Sequence, residues 1–171
     1  MADNWVTAVY ENLKAAGISQ VAYVPDAGHG QLIKLCEADP AIHAVSLTTE
    51  EEGVAMLGGA WLGGAKGVLL LQSSGVGNCI NMLALIQECR MPFLAIVTMR
   101  GEWGEFNPWQ CPMGQSTDAA LKGAGVYVQR AETADEAPET VRAAAMMAFN
   151  ANRAVAVIIS QKIIGIKNFS K

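Results

Sequence analysis

The chain has 171 residues and a formal charge of 12 − 16 = −4, with 51% hydrophobic and only 16% charged residues. This length and apolar content predict a single domain over residues 1–171 and exclude a disordered or collagen-like chain. The mild acidity, without a Lys/Arg cluster, argues against nucleic acid as a partner. Because soluble domains average about 25% charged residues, we expect other chains to cover part of this surface.

Neither a membrane span nor a secretory leader is expected. Residues 67–87 carry no charge, but the polar, glycine-rich segment 72–78 interrupts them, which a lipid-facing helix would not tolerate. The first residues lack a basic segment followed by an apolar one. The four cysteines form no CxxC pair and have no histidine at metal-ligand spacing, which favours buried thiols and no metal site. These features predict a cytoplasmic protein.

Helical and strand-like segments alternate along the whole chain. The spacing of apolar residues predicts helices at 5–16 and 31–37, after the second strand up to Trp61, after the third strand up to Cys89, and at 137–149. The predicted strands are 21–24, 42–47, 68–71, 93–98, 126–128 and 154–159.

Short, continuously apolar strands separated by helices predict an α/β fold with a six-stranded, mostly parallel sheet and helices on both faces. Right-handed crossovers place the carboxyl ends of such strands along one edge, where ligands bind. The segments expected at that edge are 25–30, 48–53, 72–78 and 100–117.

Two of these segments carry candidate ligand contacts. Glu50, Glu51 and Glu52 follow the second strand, and acids in a first helical turn also complement the helix dipole, so composition alone favours neither explanation. The position of Glu50 at the strand end favours a functional role. The glycines of segment 72–78 allow close backbone approach. A ligand-binding turn and a tight strand-to-helix turn explain this segment equally well, because no nucleotide-binding motif is present.

Two further segments offer substrate contacts. Segment 100–115 combines Arg100 and Gln115 with three aromatic residues, which suits either an anion clamp or contact with a partner chain. Asp26 and His29 follow the first strand. A loop histidine is more often structural than catalytic, but its closeness to an aspartate raises a proton-handling role.

Taken together, these segments resemble the pyrimidine-binding domain of thiamine diphosphate enzymes over essentially the whole chain. Within that family the pattern is most similar to sulfopyruvate decarboxylase alpha subunits, and next to phosphonopyruvate decarboxylases. The residues that carry the resemblance are Val24-Pro25-Asp26, Glu50-Glu51-Glu52-Gly53-Val54, Gly59-Ala60-Trp61-Leu62, Gln72-Ser73-Ser74-Gly75-Val76-Gly77-Asn78, Arg100-Gly101 and Pro112-Met113-Gly114.

The resemblance implies a role for each candidate residue. The family's glutamate that hydrogen-bonds the aminopyrimidine ring falls on Glu50, since Gly59 then matches the family's glycine without a gap; Glu51 and Glu52 are close rivals. In a water-poor site this carboxyl can share a proton with the ring. The resemblance implies catalytic roles for Glu50 and His29, cofactor contacts for Glu50, Gln72, Ser73, Gly75 and Asn78, and substrate contacts for Asp26, His29, Arg100 and Gln115.

The resemblance also implies a carboxy-lyase that acts on a small anionic 2-oxo acid, first of all 3-sulfopyruvate, which it would convert to sulfoacetaldehyde and carbon dioxide. Phosphonopyruvate or another 2-oxo acid is the alternative substrate. The chain lacks the family's Gly-Asp-Gly motif for diphosphate and Mg²⁺. A separate beta subunit would therefore supply those ligands, in an α2β2 or larger assembly outside which the enzyme is inactive. A non-catalytic α/β binding or regulatory module is the alternative from another class.

Overall fold

The computed structural model describes residues 4–166, and its alternating strands and helices build one parallel sheet. Every neighbouring pair of strands is parallel, and the strand order is β2-β1-β3-β4-β6-β5. The predicted fold class and six-stranded sheet are confirmed. The strands are β1 (Ile18–Tyr23), β2 (His43–Ser46), β3 (Lys66–Gln72), β4 (Phe93–Thr98), β5 (Tyr127–Ala131) and β6 (Ala154–Ile159).

Helices cover both faces of the sheet. The helices are α1 (Asn4–Ala15), α2 (Gly30–Ala38), α3 (Glu50–Leu62), α4 (Ser73–Cys79), α5 (Leu83–Glu88), α6 (Cys111–Gly123), α7 (Ala137–Asn150) and α8 (Gln161–Ile164). The helices α1, α2 and α7 pack on one face, and α3, α4, α5 and α6 pack on the other. A short 3₁₀ turn at Pro108–Gln110 precedes α6.

The central strands are apolar throughout because their side chains alternate between two cores. In β3, Val68 and Leu70 belong to the core under α1, α2 and α7, whereas Leu69 and Leu71 belong to the core under α3–α6. All four side chains are at most 2% exposed. This double burial leaves polar residues only at the ends of β3, so chemistry is confined to the sheet edges.

Three helical segments differ from the sequence prediction. The predicted single helix after β3 is divided into α4 and α5, and the predicted turn at 73–77 is itself the start of α4. Serine and glycine have low helix propensity, but burial of Val76 and Cys79 in the core stabilises this short helix. The expectation of an irregular segment over 100–117 is wrong beyond residue 110, where α6 begins, and α8 was not predicted.

The charge-free stretch 67–87 is not a continuous helix, since it comprises most of β3, then α4 and the start of α5. Across residues 4–166, each helix is too short or too polar to cross a lipid bilayer.

Candidate active site at the carboxyl edge of the sheet

Glu50 is nearly buried, at the point where β2 leads into α3. Glu50 is only 9% exposed, and its Oε2 accepts a hydrogen bond of 2.7 Å from Asn78 Nδ2. Gly75 of α4 lies against the same carboxyl group, and a Cβ at that position would overlap it. Oε1 of Glu50 accepts no hydrogen bond from any other residue in the range 4–166. One carboxylate oxygen is therefore fixed by a hydrogen bond, and the other has no hydrogen-bond partner among these residues.

The other two acids of the triplet bind the turn that precedes α3. Glu51 accepts a hydrogen bond from the Thr49 hydroxyl, and Glu52 accepts one of 3.0 Å from the backbone N–H of Thr48. Carboxylates in the first turn of a helix satisfy polar groups of this kind and complement the dipole. The geometry therefore separates Glu50, which faces α4, from its two neighbours.

Asp26, just beyond β1, joins the ends of three strands. Its Oδ1 accepts a hydrogen bond from Gln72 Nε2, and its Oδ2 accepts bonds from Thr98 Oγ1 and Gly28 N, all at 2.9 Å. Burial raises the pKa of Asp26, but the hydrogen bonds from Gln72, Thr98 and the Gly28 backbone lower it, and the net shift is downward. Asp26 therefore stays ionised as a link between β1, β3 and β4.

His29 lies buried beneath this network. It is 3% exposed, and its Nε2 lies 3.2 Å from the carbonyl oxygen of Leu71 and 3.1 Å from that of Ile96. Since both neighbours are acceptors, we assign the proton to Nε2. Burial lowers the pKa of His29 below its ordinary value, so the imidazole is neutral. The geometry gives His29 a structural contact with β3 and β4, and its catalytic role stays a prediction.

Arg100, which follows β4, already holds a carboxylate. It is 7% exposed, and its Nε and Nη2 bind the two oxygens of Glu105 at 2.5 and 2.6 Å. The backbone N–H groups of Gly101 and Asn107 and the amide of Gln161 also donate to Glu105. The guanidinium and these donors lower the pKa of Glu105 to about 2. The group expected to clamp a substrate anion is thus paired within its own loop.

Residues 101–110 form a loop that hydrogen bonds hold on its inner side and that exposes aromatic side chains on its outer side. Gln161, 1% exposed, accepts hydrogen bonds from two consecutive backbone N–H groups of this loop, at 3.1 and 3.0 Å. On the outer side, Trp103, Phe106 and Trp109 are 44%, 55% and 84% exposed. The loop is therefore a fixed platform that presents three aromatic rings beside the carboxyl edge.

Asp26 and Arg100, two of the four predicted substrate contacts, line one cleft of about 120 Å³ at the ends of β1 and β4. The other two do not line it, because His29 is buried and Gln115 donates to the carbonyl of Gly101 at 2.9 Å. The remaining lining residues are Ala27, Gly28, Thr98, Met99 and residues 164–166.

The predicted cofactor contacts fall into two neighbouring groups on the β3–α4 connection. Gly75 and Asn78 contact the carboxyl of the first triplet acid, as described above. Ser73 instead exchanges two hydrogen bonds with the backbone of Arg100, at 3.0 and 3.3 Å, while Gln72 belongs to the aspartate network. Throughout residues 4–166, no three His, Cys, Asp or Glu side chains are grouped as metal ligands would be.

Three residues of this edge were not found from the sequence: Thr98, Glu105 and Gln161. Thr98 is the one polar residue of the apolar strand β4 and stands at its carboxyl end, a signal that could have found it. Glu105 has no motif, because its partner is fixed only by the path of the loop. Gln161 lies two residues after the end of β6, and its position at the same edge was the available signal.

Sequence relatives show the family. The chain is 35% identical over 153 residues to sulfopyruvate decarboxylase subunit alpha of Methanothermobacter thermautotrophicus, an alignment that covers 89% of this chain and 93% of the relative. The corresponding subunit of Methanocaldococcus jannaschii is 34% identical over 152 residues, which are 88% of this chain and 90% of the relative. The chain belongs to the family of sulfopyruvate decarboxylase alpha subunits. No family model matches it.

Two longer proteins also match. Phosphonopyruvate decarboxylase of Streptomyces viridochromogenes is 40% identical over 111 residues, 64% of this chain but 28% of the relative. A solved structure of 2-oxoglutarate:ferredoxin oxidoreductase from Magnetococcus marinus shares the fold with a TM-score of 0.71 at 13% identity, over 94% of this chain and 29% of that chain. The resemblance read from the sequence is confirmed, and in both longer proteins the matched region is less than a third of the polypeptide.

Proposed function

We propose that the chain is the alpha subunit of a thiamine diphosphate-dependent 2-oxo acid decarboxylase, a carboxy-lyase whose first-choice reaction is 3-sulfopyruvate to sulfoacetaldehyde and carbon dioxide. The family assignment supports the activity. The observation that carries the proposal is the Glu50 carboxyl, nearly buried at the ligand-binding edge with one oxygen held by Asn78. The similarity to phosphonopyruvate decarboxylase supports phosphonopyruvate as the alternative substrate.

The residues around Glu50 fit the aminopyrimidine end of the cofactor. When bound, thiamine diphosphate supplies the electron sink for loss of carbon dioxide. Glu50 would hydrogen-bond a ring nitrogen through Oε1 and share a proton with it, because that oxygen has no partner within residues 4–166. Asn78 would keep the carboxyl oriented, and Gly75 lets α4 approach it without a side chain between them. Gln72 and Ser73 would fix the neighbouring wall.

We assign the diphosphate and Mg²⁺ ligands to a separate beta subunit in an α2β2 or larger assembly. The name "subunit alpha" of the relatives supports a partner. The longer relatives extend far beyond the matched region, as expected if further domains are fused there and separate here. The loop 101–110 supports contact with that partner, because exposed Trp and Phe side chains are enriched at interfaces and lie here beside the candidate site.

Arg100 remains our candidate for the acidic tail of the substrate. It lines the 120 Å³ cleft together with Asp26, and a guanidinium matches the oxygen edge of a sulfonate or phosphonate. In this role the substrate anion competes with Glu105 for the guanidinium, because Glu105 binds it on two nitrogens. Gln115 would act indirectly, by supporting the loop at Gly101.

The test is coexpression with the candidate partner and a screen of acidic and neutral 2-oxo acids with thiamine diphosphate and Mg²⁺. We expect Glu50→Gln to lower turnover at least about 100-fold while assembly is kept, because the amide cannot share a proton. Glu51→Gln and Glu52→Gln are the matched controls and should retain activity. Arg100→Gln should reduce the preference for acidic substrates.

Near-normal turnover of Glu50→Gln would contradict the assignment. The non-catalytic alternative would appear as partner binding without turnover of any 2-oxo acid and without binding of thiamine diphosphate.

A further inference from the structure

A second cleft lies at the amino edge of the sheet, opposite the candidate active site. It has a volume of about 180 Å³ and lies where β4, β5 and β6 begin. Because a strand of six residues such as β4 is about 20 Å long, the length of the sheet separates this cleft from the carboxyl edge. The polar side chains of its lining are Gln87, Arg90, Asn152, Arg153 and Tyr127.

The arginines of this cleft lack the carboxylate partners that the other arginines have. Arg100, Arg130 and Arg142 each bind a glutamate. Arg90 and Arg153 are the other two arginines of the chain, and neither forms an ion pair with any residue from 4 to 166. The cleft also has no acidic side chain in its lining. A chain of net charge −4 thus places two unneutralised guanidinium groups at one concave site.

The backbone of the cleft is held in an uncommon conformation. Arg90 and Asn152, with φ of 52° and 55°, are the non-glycine residues of the described chain that have positive φ. Each stands just after a helix, α5 or α7, at the position where glycine is the usual residue. Asparagine is common in this conformation after a helix, so Arg90 is the unusual residue, and its retention there points to a selected side chain of the kind found at binding sites.

Hydrogen bonds fix the loops that follow α5 and α7 to each other, and they link α5 to the segment that precedes β5. Asn152 Nδ2 donates to the carbonyl of Arg90 at 2.8 Å, and Gln87 Nε2 donates to the carbonyl of Gly125 at 3.1 Å. The two amides of the lining are therefore used to build the cleft. Its two guanidinium groups are not, apart from a long contact of 3.4 Å between Arg153 and the carbonyl of Asn152.

We propose that this cleft binds a phosphate dianion, either as the free ion or as the phosphate group of a small metabolite. Guanidinium forks match the oxygen edges of a tetrahedral oxyanion, and two of them balance its double charge. The Tyr127 ring, 49% exposed at the rim, offers apolar surface to the organic part of an ester. The site is independent of the proposed decarboxylase chemistry.

Isothermal titration calorimetry of the full chain with inorganic phosphate, in a chloride buffer of constant ionic strength, tests the proposal. We expect saturable binding that Arg90→Gln and Arg153→Gln each weaken at least about tenfold. The control is Arg142→Gln, which removes an exposed arginine of α7 outside the cleft and should leave the affinity unchanged. Phenyl phosphate is titrated in parallel, and tighter binding of the ester assigns the site to an organic phosphate, whereas equal or weaker binding assigns it to the free ion.

Absence of saturable binding to the unmodified chain, or equal weakening by all three variants, would overturn the proposal. Thermal unfolding gives a second measure: at ten times the dissociation constant, phosphate should raise the Tm of the unmodified chain by about 3–5 °C. Cations near helix C-termini also offset the helix dipole, so the variants are expected to melt lower without phosphate. The readout is therefore the phosphate-dependent rise in Tm, which should shrink in both cleft variants.

Discussion

The carboxyl of Glu50 lies so close to Gly75 that no side chain fits between them. This contact, together with the hydrogen bond from Asn78, sets the position of the oxygen that we assign to the cofactor ring. A glycine in the middle of a helix normally weakens it, by about 1 kcal/mol relative to alanine. Gly75 thus allows α4 to lie against the Glu50 carboxyl, although glycine weakens the helix. A methyl group at position 75 would test whether this close contact positions the carboxyl.

Gly75→Ala is expected to lower kcat at least about tenfold, equivalent to roughly 1.4 kcal/mol in the barrier, because its Cβ displaces the Glu50 carboxyl. Gly77→Ala is the matched control on the same helix, since its Cβ would meet only the flexible end of Met113, at 3.2 Å from Sδ. Steady-state kinetics and urea unfolding of both variants check this. Equal activity of the two variants would show that the close packing at Gly75 does not matter for catalysis.

His29 couples the stability of the sheet to pH. Burial holds the pKa of His29 in the folded chain below the ordinary value near 6.5. As the pH falls through that value, the imidazole therefore becomes protonated in the unfolded chain but stays neutral in the folded chain. The free energy of unfolding should therefore decrease by about 1.4 kcal/mol per pH unit below pH ~6.5, until the folded pKa is reached.

His29→Gln keeps an N–H donor for the carbonyls of Leu71 and Ile96 and removes the titration. Urea unfolding between pH 5 and 7.5 should show a flatter pH dependence for this variant than for the unmodified chain. His43→Gln, at an exposed position, is the control and should keep the original slope. An unchanged slope in His29→Gln would mean that the imidazole is not the coupled group.

At the scale of elements, the loop 101–110 depends on one side chain from the far end of the chain. The Gln161 side chain accepts hydrogen bonds from the backbone N–H groups of Glu102 and Trp103 and donates one to Glu105. Its own side chain is 1% exposed, whereas the loop residues that it binds are half-buried or exposed. The start of α8 therefore holds the loop that follows β4.

Gln161→Leu should lower the free energy of unfolding by about 1–3 kcal/mol, because it leaves two partly buried backbone N–H groups of the loop without their acceptor. Gln115→Leu, which removes one hydrogen bond to Gly101 from an exposed side chain, should cost less than about 1 kcal/mol. Urea unfolding measures both values, and tryptophan fluorescence, to which Trp103 and Trp109 of the loop contribute, reports whether the loop has moved. Similar losses in the two variants would argue against Gln161 as the anchor.

The sequence predicts the fully buried strands well and the connections poorly, for a physical reason, while β1 begins three residues before its predicted start and β5 ends three residues after its predicted end. Buried strands such as β4 and β6 are apolar on both faces, so each appears in the sequence as a continuous run of apolar residues. Their predicted bounds are confirmed. The helices α4 and α6 are rich in glycine, serine and polar residues, and tertiary packing rather than local propensity stabilises them. The proline near the start of α6 was the one local sign of that helix.

The candidate site divides in the same way. Residues at strand ends, such as Glu50, Asp26 and Arg100, could be placed at one edge from the strand pattern alone. Their partners could not, because the pairing of Arg100 with Glu105 depends on how the loop folds back. The strand pattern thus predicts where a polar residue lies in the fold. The role of that residue depends on contacts that form only in the folded chain.

At the scale of the whole molecule, exposed aromatic side chains are concentrated beside the candidate active site. Trp103, Phe106 and Trp109 lie within one loop, while other exposed apolar side chains such as Met146 are scattered. An anchored aromatic loop gives up little conformational freedom when it binds, which favours a specific interface.

The double variant Phe106→Ser/Trp109→Ser should weaken binding of the partner subunit at least about tenfold, or roughly 1.4 kcal/mol. Its own unfolding should change little, because both side chains are largely exposed. Met146→Ser, on α7 and 51% exposed, serves as the control. Sedimentation of mixtures over a concentration series gives the dissociation constants. If the double variant binds as tightly as the control, the partner docks elsewhere.

The strand order has a consequence for synthesis of the chain. Among the strands of residues 4–166, β6 comes last in the sequence, yet it lies between β4 and β5, and β5 pairs with no other of these strands. A nascent polypeptide that has reached only residue 153 therefore has one unpaired edge along the apolar strand β4 and no partner strand for β5, and an unpaired apolar edge invites association with other chains. β4 and β5 therefore join the same sheet only after β6 has been made, and a truncated product lacking β6 is expected to need chaperones or to be degraded.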